Sequence, residues 1–258
     1  MKSRVHVSEQ KGVRYLHLGS PWVQGAMRIA RPWSLELEYT RDLMMPLLLR
    51  PRAAWPATVL CIGLGSGSIA KFLYRHRPAS TITAVEISEE VVAVARRYFR
   101  LPDDAQRLRV LVGDAATYVA QCADRFDLIV VDGFDGRGRA GALDGRDFYR
   151  HCRARLAREG MVAVNLLTRR RGVAASIARL AEVFGNRIAV MAPSGDGNVV
   201  ALAALEPVES DDADLRSAAR TLKAESGLDL GPSVSRLLHE RRAPRLSERF
   251  SPAGPGGS

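Results

Sequence analysis

The sequence predicts an α/β protein whose centre is a seven-stranded, Rossmann-like, mostly parallel sheet, preceded by a small N-terminal β unit. Three observations predict it. Strand-like apolar runs alternate with helix-like segments from residue 57 to about residue 205. Most of these runs are continuously apolar, as expected for strands that helices cover on both faces. A glycine-rich turn at residues 63–67 joins the first of these strands to the helix-like segment that follows.

Residues 1–33 are predicted to form the small β unit. Apolar residues alternate in part from residue 4 to residue 30, and Gly12 and Gly19 lie where turns are expected. A unit of this size cannot hold a hydrophobic core alone. We therefore expect it to pack on the main domain or on a second subunit.

Residues 34–205 are predicted to form the main domain. Its first helix is expected to begin with Ser34 as N-cap and to run to about Leu49. Glu36 and Glu38 lie in its first turn, where the helix dipole favours acids, and Pro46 is expected to kink it.

Strands and helices then alternate. The predicted strands are 58–62, 81–86, 109–112, 126–131, 161–166, 188–191 and 198–203. The predicted helices are 68–76, 88–100, 115–122, 147–158 and 173–184, with Gly160 and Gly185 as stops for the last two. The last two strands are separated by a short turn, which predicts a terminal hairpin and an antiparallel edge strand.

Residues 206–258 are predicted to form a helical extension. One helix is expected to end near Gly227, and residues 233–241 are a second candidate. The Pro-, Gly- and Ser-rich residues 251–258 are predicted to be disordered.

The composition limits the classes of function. The 258 residues carry a net charge of +10, and nearly all of the cations are arginine. The arginine runs are short and lack interleaved aromatic residues, so we expect no nucleic-acid partner. The three cysteines lack C-x-x-C spacing, and no apolar run has the length of a membrane span, so a cytoplasmic protein is expected. The five histidines are scattered, and no metal site is expected.

The glycine turn predicts a nucleoside site. Gly63, Gly65 and Gly67 have the spacing G-x-G-x-G, and Ser68 stands where dinucleotide-binding turns carry a third glycine. This favours an S-adenosyl ligand, which has no pyrophosphate, and a class I methyltransferase-type sheet. Glu86 ends the next strand, where a carboxylate can accept hydrogen bonds from ribose hydroxyls. Asp114 ends the third strand, and it could hold an adenine amino group, cap the following helix, or do both.

Several motifs resemble those of the spermidine synthase (polyamine aminopropyltransferase) family over residues 20–205. Val85-Glu86-Ile87 resembles the family's ribose-binding segment, and Gly113-Asp114-Ala115 resembles its adenine-binding turn. Asp132-x-x-Asp135 resembles its catalytic Asp-x-x-Asp motif. After the catalytic motif, the residues that fall at the family's spacing are Gly138, Ala140, Leu143 and Phe148-Tyr149. Upstream, the family's cofactor-side glutamine and acceptor-side tyrosine region is resembled by Gln24, Glu36, Tyr39 and Met45-Pro46-Leu47.

The resemblance implies transfer of an aminopropyl group from decarboxylated S-adenosylmethionine to a small amine acceptor, within a nucleoside-binding catalytic domain at residues 34–205. It implies Asp132 as the catalytic base, with Asp135, Tyr39 and Glu36 binding the acceptor. The implied co-substrate residues are Gln24, Gly63, Gly65, Ser66, Gly67, Glu86, Ile87, Asp114 and Ala115. The resemblance also implies a homodimer.

The sequence departs from the family pattern at the same site. Ser66 stands where the family has an acid that meets the donor's ammonium group, and Thr40-Arg41 stand where it has His-Glu. These departures keep two alternatives open: a methyltransferase that uses S-adenosylmethionine itself, and a catalytically silent nucleoside-binding homologue. Residues 133–145 contain five glycines and are predicted to form a lid over the substrate.

Overall fold

A computed structural model describes residues 5–20, 22–134, 138–168, 172–195 and 197–242. The strands are β1 (Val5–Gln10), β2 (Val13–Leu18), β3 (Val23–Arg28), β4 (Thr58–Ile62), β5 (Thr81–Glu86), β6 (Leu108–Val112), β7 (Phe126–Val131), β8 (Leu156–Leu167), β9 (Ile188–Val190) and β10 (Asn198–Ala204). The helices are α1 (Glu38–Asp42), α2 (Pro46–Leu49), α3 (Ser68–His76), α4 (Glu89–Phe99), α5 (Ala115–Gln121), α6 (Arg146–Ala154), α7 (Val173–Phe184), α8 (Asp212–Ser226) and α9 (Gly231–Arg242).

The central sheet has seven strands in the order β6-β5-β4-β7-β8-β10-β9. Strands β4 to β8 are parallel, and β10 is antiparallel to both β8 and β9. The predicted fold class and the terminal hairpin are confirmed. The antiparallel strand is the second from the edge, because β10 inserts between β8 and β9.

The strand order reverses once, at β4: the chain runs outward from β4 to β5 and β6, and then returns to β7 on the other side of β4. This places the carboxyl ends of four parallel strands at one edge of the sheet, where open α/β sheets bind ligands. Alternate residues of β4 enter opposite cores. Val59 and Cys61 face the side covered by α2, α3 and the C-terminal helices, whereas Leu60 and Ile62 face the side covered by α5, α6 and α7.

The N-terminal β unit is a separate antiparallel sheet in the order β1-β2-β3. Leu16 and Met27 pack on Val91 and Phe99 of α4, so the unit buries its apolar face against the main domain. The division of the chain into three domains stays a prediction.

Three predictions about helix boundaries are wrong. Helix α1 begins after Leu37 rather than Ser34, and Pro46 begins a separate helix instead of kinking a long one. Gly160 does not stop a helix, because α6 ends at Ala154 and Gly160 lies inside β8. A Cβ atom on Gly160 would lie 2.9 Å from the carbonyl oxygen of Phe126, so close approach of two backbones explains this glycine.

The C-terminal helices belong to the main core. Leu215 and Leu222 of α8 and Val234 and Leu237 of α9 are fully buried in the cluster that contains the α2 leucines. The predicted end of a helix near Gly227 is confirmed, and Gly227 has the left-handed φ of 73° that ends α8. The predicted disordered tail lies outside the described residues. Across the described ranges, the helices are too short or too polar for a membrane span.

Lys71 gives the first testable prediction. It is 1% exposed on α3, and its Nζ donates to the carbonyl oxygen of Phe99 at 2.7 Å. Burial, helped by the charge of Arg100, lowers the pKa of Lys71 to about 7. The unfolded chain therefore binds a proton that the folded chain lacks between pH 7 and the ordinary lysine pKa. Stability must then rise with pH through this window.

Lys71→Met is expected to remove this dependence, which amounts to about 1 to 2 kcal/mol between pH 7 and 8.5. Denaturant unfolding across that range measures it. Lys223→Met, at an exposed position of α8, is the control and should keep the slope of the unmodified protein. Equal slopes for the unmodified protein and Lys71→Met would contradict the prediction.

Candidate active site

A cavity of about 1250 Å³ opens at the carboxyl ends of the central strands. Its floor is the glycine turn after β4, and Glu86, Asp114 and Asp132 enter from the ends of β5, β6 and β7. Strand β3 supplies one wall through Gln24, and α1 supplies another. Parallel strands thus bring together groups that are far apart in the sequence.

The glycine turn has a backbone that only glycine adopts readily. Gly63, Gly65 and Gly67 have φ values of 84°, 52° and 70°. At Gly63 a Cβ atom would also lie 2.2 Å from the carbonyl oxygen of Asp132. The turn after β4 is therefore packed directly on the loop after β7, and the two predicted halves of the site are in contact.

Glu86 is fixed by the turn that it faces. One carboxylate oxygen accepts from the backbone N–H of Leu64 at 2.9 Å, and the other accepts from the N–H of Ser88 at 3.0 Å. The side chain is 9% exposed and lines the cavity. The oxygen that accepts from Leu64 also accepts from the N–H of Gly65 at 3.5 Å, whereas the oxygen that accepts from Ser88 can accept a further hydrogen bond. The arrangement can therefore receive a hydroxyl group such as one of a ribose.

Asp114 caps α5, since its Oδ1 accepts from the N–H of Thr117 at 2.7 Å. It also lines the cavity, together with Ala115 and Ile87. Ile87 is 73% exposed, and its apolar side chain at the cavity suits a group that covers a flat ligand. The capping role is thus confirmed, and the adenine-binding role stays a prediction.

Ser66 is buried beneath the N-terminal sheet. Its Oγ lies 2.9 Å from that of Ser68, which donates to the carbonyl oxygen of Ala26. Gly25 of β3 lies directly over it, since a Cβ atom there would meet Ser66 Oγ at 2.5 Å. Neighbouring Gln24 lines the cavity, and its contact with a co-substrate stays a prediction. The N-terminal sheet therefore forms part of the site.

Asp132 is held at both carboxylate oxygens. Its Oδ1 accepts from Asn165 Nδ2 at 2.8 Å, and its Oδ2 accepts from the Tyr39 hydroxyl at 3.2 Å. Burial raises the pKa of Asp132 above its ordinary value, against the two hydrogen bonds, and the negative charge of Glu86 raises it further. The result is a fixed carboxylate with increased basicity, which suits proton abstraction.

Sequence reasoning missed two residues behind Asp132. Asn165 of β8 and Asn198 of β10 are 4% and 6% exposed, and Asn198 Nδ2 donates to Asn165 Oδ1 at 2.7 Å. The amide of Asn198 therefore orients Asn165, whose amide in turn orients Asp132. A polar residue inside an otherwise apolar strand was the available signal, because buried amides need hydrogen-bond partners.

The structure does not bring every predicted acceptor residue into the cavity. Tyr39 lines it and contacts Asp132. Glu36 is not among the lining residues, and its carboxylate forms an ion pair with Arg28 of β3. The structure therefore does not support Glu36 as an acceptor residue. Asp135 lies outside the described residues.

In the part that the structure describes, residues of the predicted lid line the cavity. Arg139, Gly141 and Leu143 line the cavity. The loop ends in Asp144, which accepts from Tyr149 of α6 and Ser176 of α7, both at 2.8 Å. Closure of this loop over a substrate stays a prediction. Within the described ranges, no group of three or more His, Cys, Asp or Glu side chains is arranged to hold a metal ion.

A family model and sequence relatives agree on one family. A family model described as spermine/spermidine synthase domain matches residues 36–168. A polyamine aminopropyltransferase of Chromobacterium violaceum is 35% identical over 234 residues, which cover 90% of this chain and 88% of that protein.

Solved structures share the fold. A probable spermidine synthase of Corynebacterium glutamicum has a TM-score of 0.73 at 22% identity, covering 88% of this chain and 86% of that one. Human methyltransferase-like protein 13 in complex with SAH has a TM-score of 0.66 at 24% identity, covering 74% of this chain and 93% of that one. At these identities the two structures establish the fold alone.

Proposed function

The chain belongs to the spermine/spermidine synthase family, and from this premise we propose that it transfers an aminopropyl group from decarboxylated S-adenosylmethionine to a small amine acceptor. Its relatives are aminopropyltransferases, so the broad class is that of a transferase enzyme. One observation supports the reaction most strongly. Asp132 is a fixed carboxylate with a raised pKa, and it lies against the glycine turn of the nucleoside site.

The reaction needs a proton acceptor beside the amine. A primary amine is protonated at neutral pH, and removal of its proton costs about 4 to 5 kcal/mol. We assign that proton to Asp132, whose Oδ2 lies beside the Tyr39 hydroxyl in the cavity. The freed lone pair then forms a C–N bond to the donor's methylene carbon. The C–S bond breaks with its electrons on sulfur, which leaves methylthioadenosine.

The co-substrate is assigned to the strand-end groups of the cavity. Glu86 would receive a ribose hydroxyl, and Asp114 with Ala115 and Ile87 would hold the adenine. Gly63, Gly65, Ser66 and Gly67 would pass beneath the sulfonium end, with Gln24 on the opposite wall. The human methyltransferase-like protein that shares this fold was solved in complex with SAH, so the fold accommodates an S-adenosyl ligand in that protein. Asp135 is proposed as a second anchor for the acceptor amine.

A methyltransferase is the second candidate, because Ser66 carries no charge for the donor's ammonium group. Incubation of the protein with each donor and a panel of amines separates the candidates. We expect methylthioadenosine with the decarboxylated donor, and only when an amine is present. SAH formed from S-adenosylmethionine would instead establish the methyltransferase. Donor binding without either product would establish a catalytically silent homologue.

The homodimer and the cytoplasmic location expected from the sequence remain predictions.

A further inference from the structure

Helix α1 places the Tyr39 hydroxyl against Asp132, but its own residues give the helix little stability. It has five residues, and its N-cap residue Leu37 makes no side-chain capping hydrogen bond. A helix this short does not form without tertiary contacts, because nucleation costs more than one turn of hydrogen bonds returns. The position of the Tyr39 hydroxyl therefore depends on what packs against α1.

A single arginine from the C-terminal extension holds α1 at both ends. Arg236 of α9 donates from Nη1 to Glu38 Oε1 at 2.6 Å, and from Nη2 to Asp42 Oδ1. Its side chain is 19% exposed, and that of Asp42 is 2% exposed. Ser233, one turn earlier in α9, also donates to Asp42 at 2.6 Å. We call Arg236 with Glu38 and Asp42 the Arg236 bridge.

The bridge extends to a second wall of the cavity. The other carboxylate oxygen of Glu38 accepts from the backbone N–H of Gly195 at 3.0 Å. Gly195 lies in the turn between β9 and β10, and both Gly195 and Tyr39 line the cavity. Asn198, which orients Asn165 and so Asp132, follows the same turn. One guanidinium group thus contacts α1 directly and, through Glu38, the β9–β10 turn.

We propose that Arg236 is a positioning residue for the acceptor amine, acting through α1 and the β9–β10 turn to hold Tyr39 against Asp132. The proposal rests on the aminopropyl transfer proposed above. It assigns the C-terminal helices a part in the site, although they lie outside the residues matched by the family model. The donor half of the cavity is built from β3, β4, β5 and β6, which the bridge does not touch.

Arg236→Gln tests the proposal, with Arg236→Lys as the conservative variant. The matched control is Arg241→Gln, an exposed arginine of α9 that donates to the carbonyl oxygen of Ser210. Misplacement of a reacting group by a fraction of an ångström is expected to lower kcat/KM for the amine about tenfold in Arg236→Gln. Arg236→Lys should recover part of this loss, and calorimetric affinity for the donor should stay within about twofold.

A double-mutant cycle separates positioning from general stability. In a Tyr39→Phe background, Arg236→Gln should lose most of its effect on the amine, because the two residues act on one contact. An equal factor in both backgrounds would overturn the proposal, as would an equal loss of donor affinity. Either result would mean that Arg236 serves the fold alone.

Amide hydrogen exchange makes the test independent of turnover. Exchange at residues 38–42 and at Gly195 should rise in Arg236→Gln and stay unchanged in Arg241→Gln. Unchanged exchange in both variants would overturn the proposal. If the unmodified protein releases no methylthioadenosine with any amine, the proposed function fails, and the exchange result still decides whether Arg236 holds these two segments.

Discussion

Replacement of Asp132 with Asn is expected to lower kcat for aminopropyl transfer by about 10³-fold and to leave donor affinity nearly unchanged. Asn has the same shape but cannot take a proton from an ammonium group at neutral pH. The nucleoside contacts proposed for Glu86 and the glycine turn do not involve the Asp132 carboxylate. The rate of methylthioadenosine release and calorimetric titration of the donor measure the two effects.

The pH profile gives the same variant a second signature. Burial raises the pKa of Asp132, so the unmodified enzyme should lose activity on acidification at a higher pH than an ordinary carboxylate would predict. Asp132→Asn should lack this limb, and its rate should rise with pH as more amine is unprotonated in solution. Asp124→Asn, an exposed acid, is the control. An Asp132→Asn enzyme that keeps more than about a tenth of the activity would exclude Asp132 as the base.

Gly63→Ala is expected to have the second large effect, and to act on both the fold and the site. An alanine at this position must adopt a φ of 84°, and its Cβ would lie 2.2 Å from the Asp132 carbonyl oxygen. That atom is backbone, so the loop after β7 has to move. We expect destabilisation of about 2 to 4 kcal/mol and at least a ~100-fold loss of donor affinity.

Gly113→Ala provides the matched control for stability. Gly113 lies at the same edge of the cavity, and a Cβ atom there meets nothing within 4 Å. Its unfolding free energy should stay close to that of the unmodified protein, because neither a clash nor a left-handed backbone is involved. Denaturant unfolding and calorimetric titration of the donor measure both variants. Equal stabilities for Gly63→Ala and Gly113→Ala would contradict the close packing of the two loops.

The sequence alone was sufficient for the sheet, the terminal hairpin and the strand-end groups. Continuous apolar runs and the alternate glycines at 63, 65 and 67 depend on local chemistry, namely side-chain periodicity and allowed φ values. Glu86, Asp114 and Asp132 could also be assigned to one edge, because the carboxyl ends of parallel strands meet there.

Only the tertiary structure decided which polar side chains act together, because pairing depends on residues far apart in the chain. Glu36 and Tyr39 are equally plausible acceptor residues in the sequence. The fold places Tyr39 against Asp132, 93 positions away, and places Glu36 against Arg28. Asn165, Asn198 and Arg236 show no motif, since each is defined by its partner on another strand or helix. Local patterns thus predicted the scaffold and its strand-end acids, whereas packing between distant elements set the arrangement and basicity of Asp132.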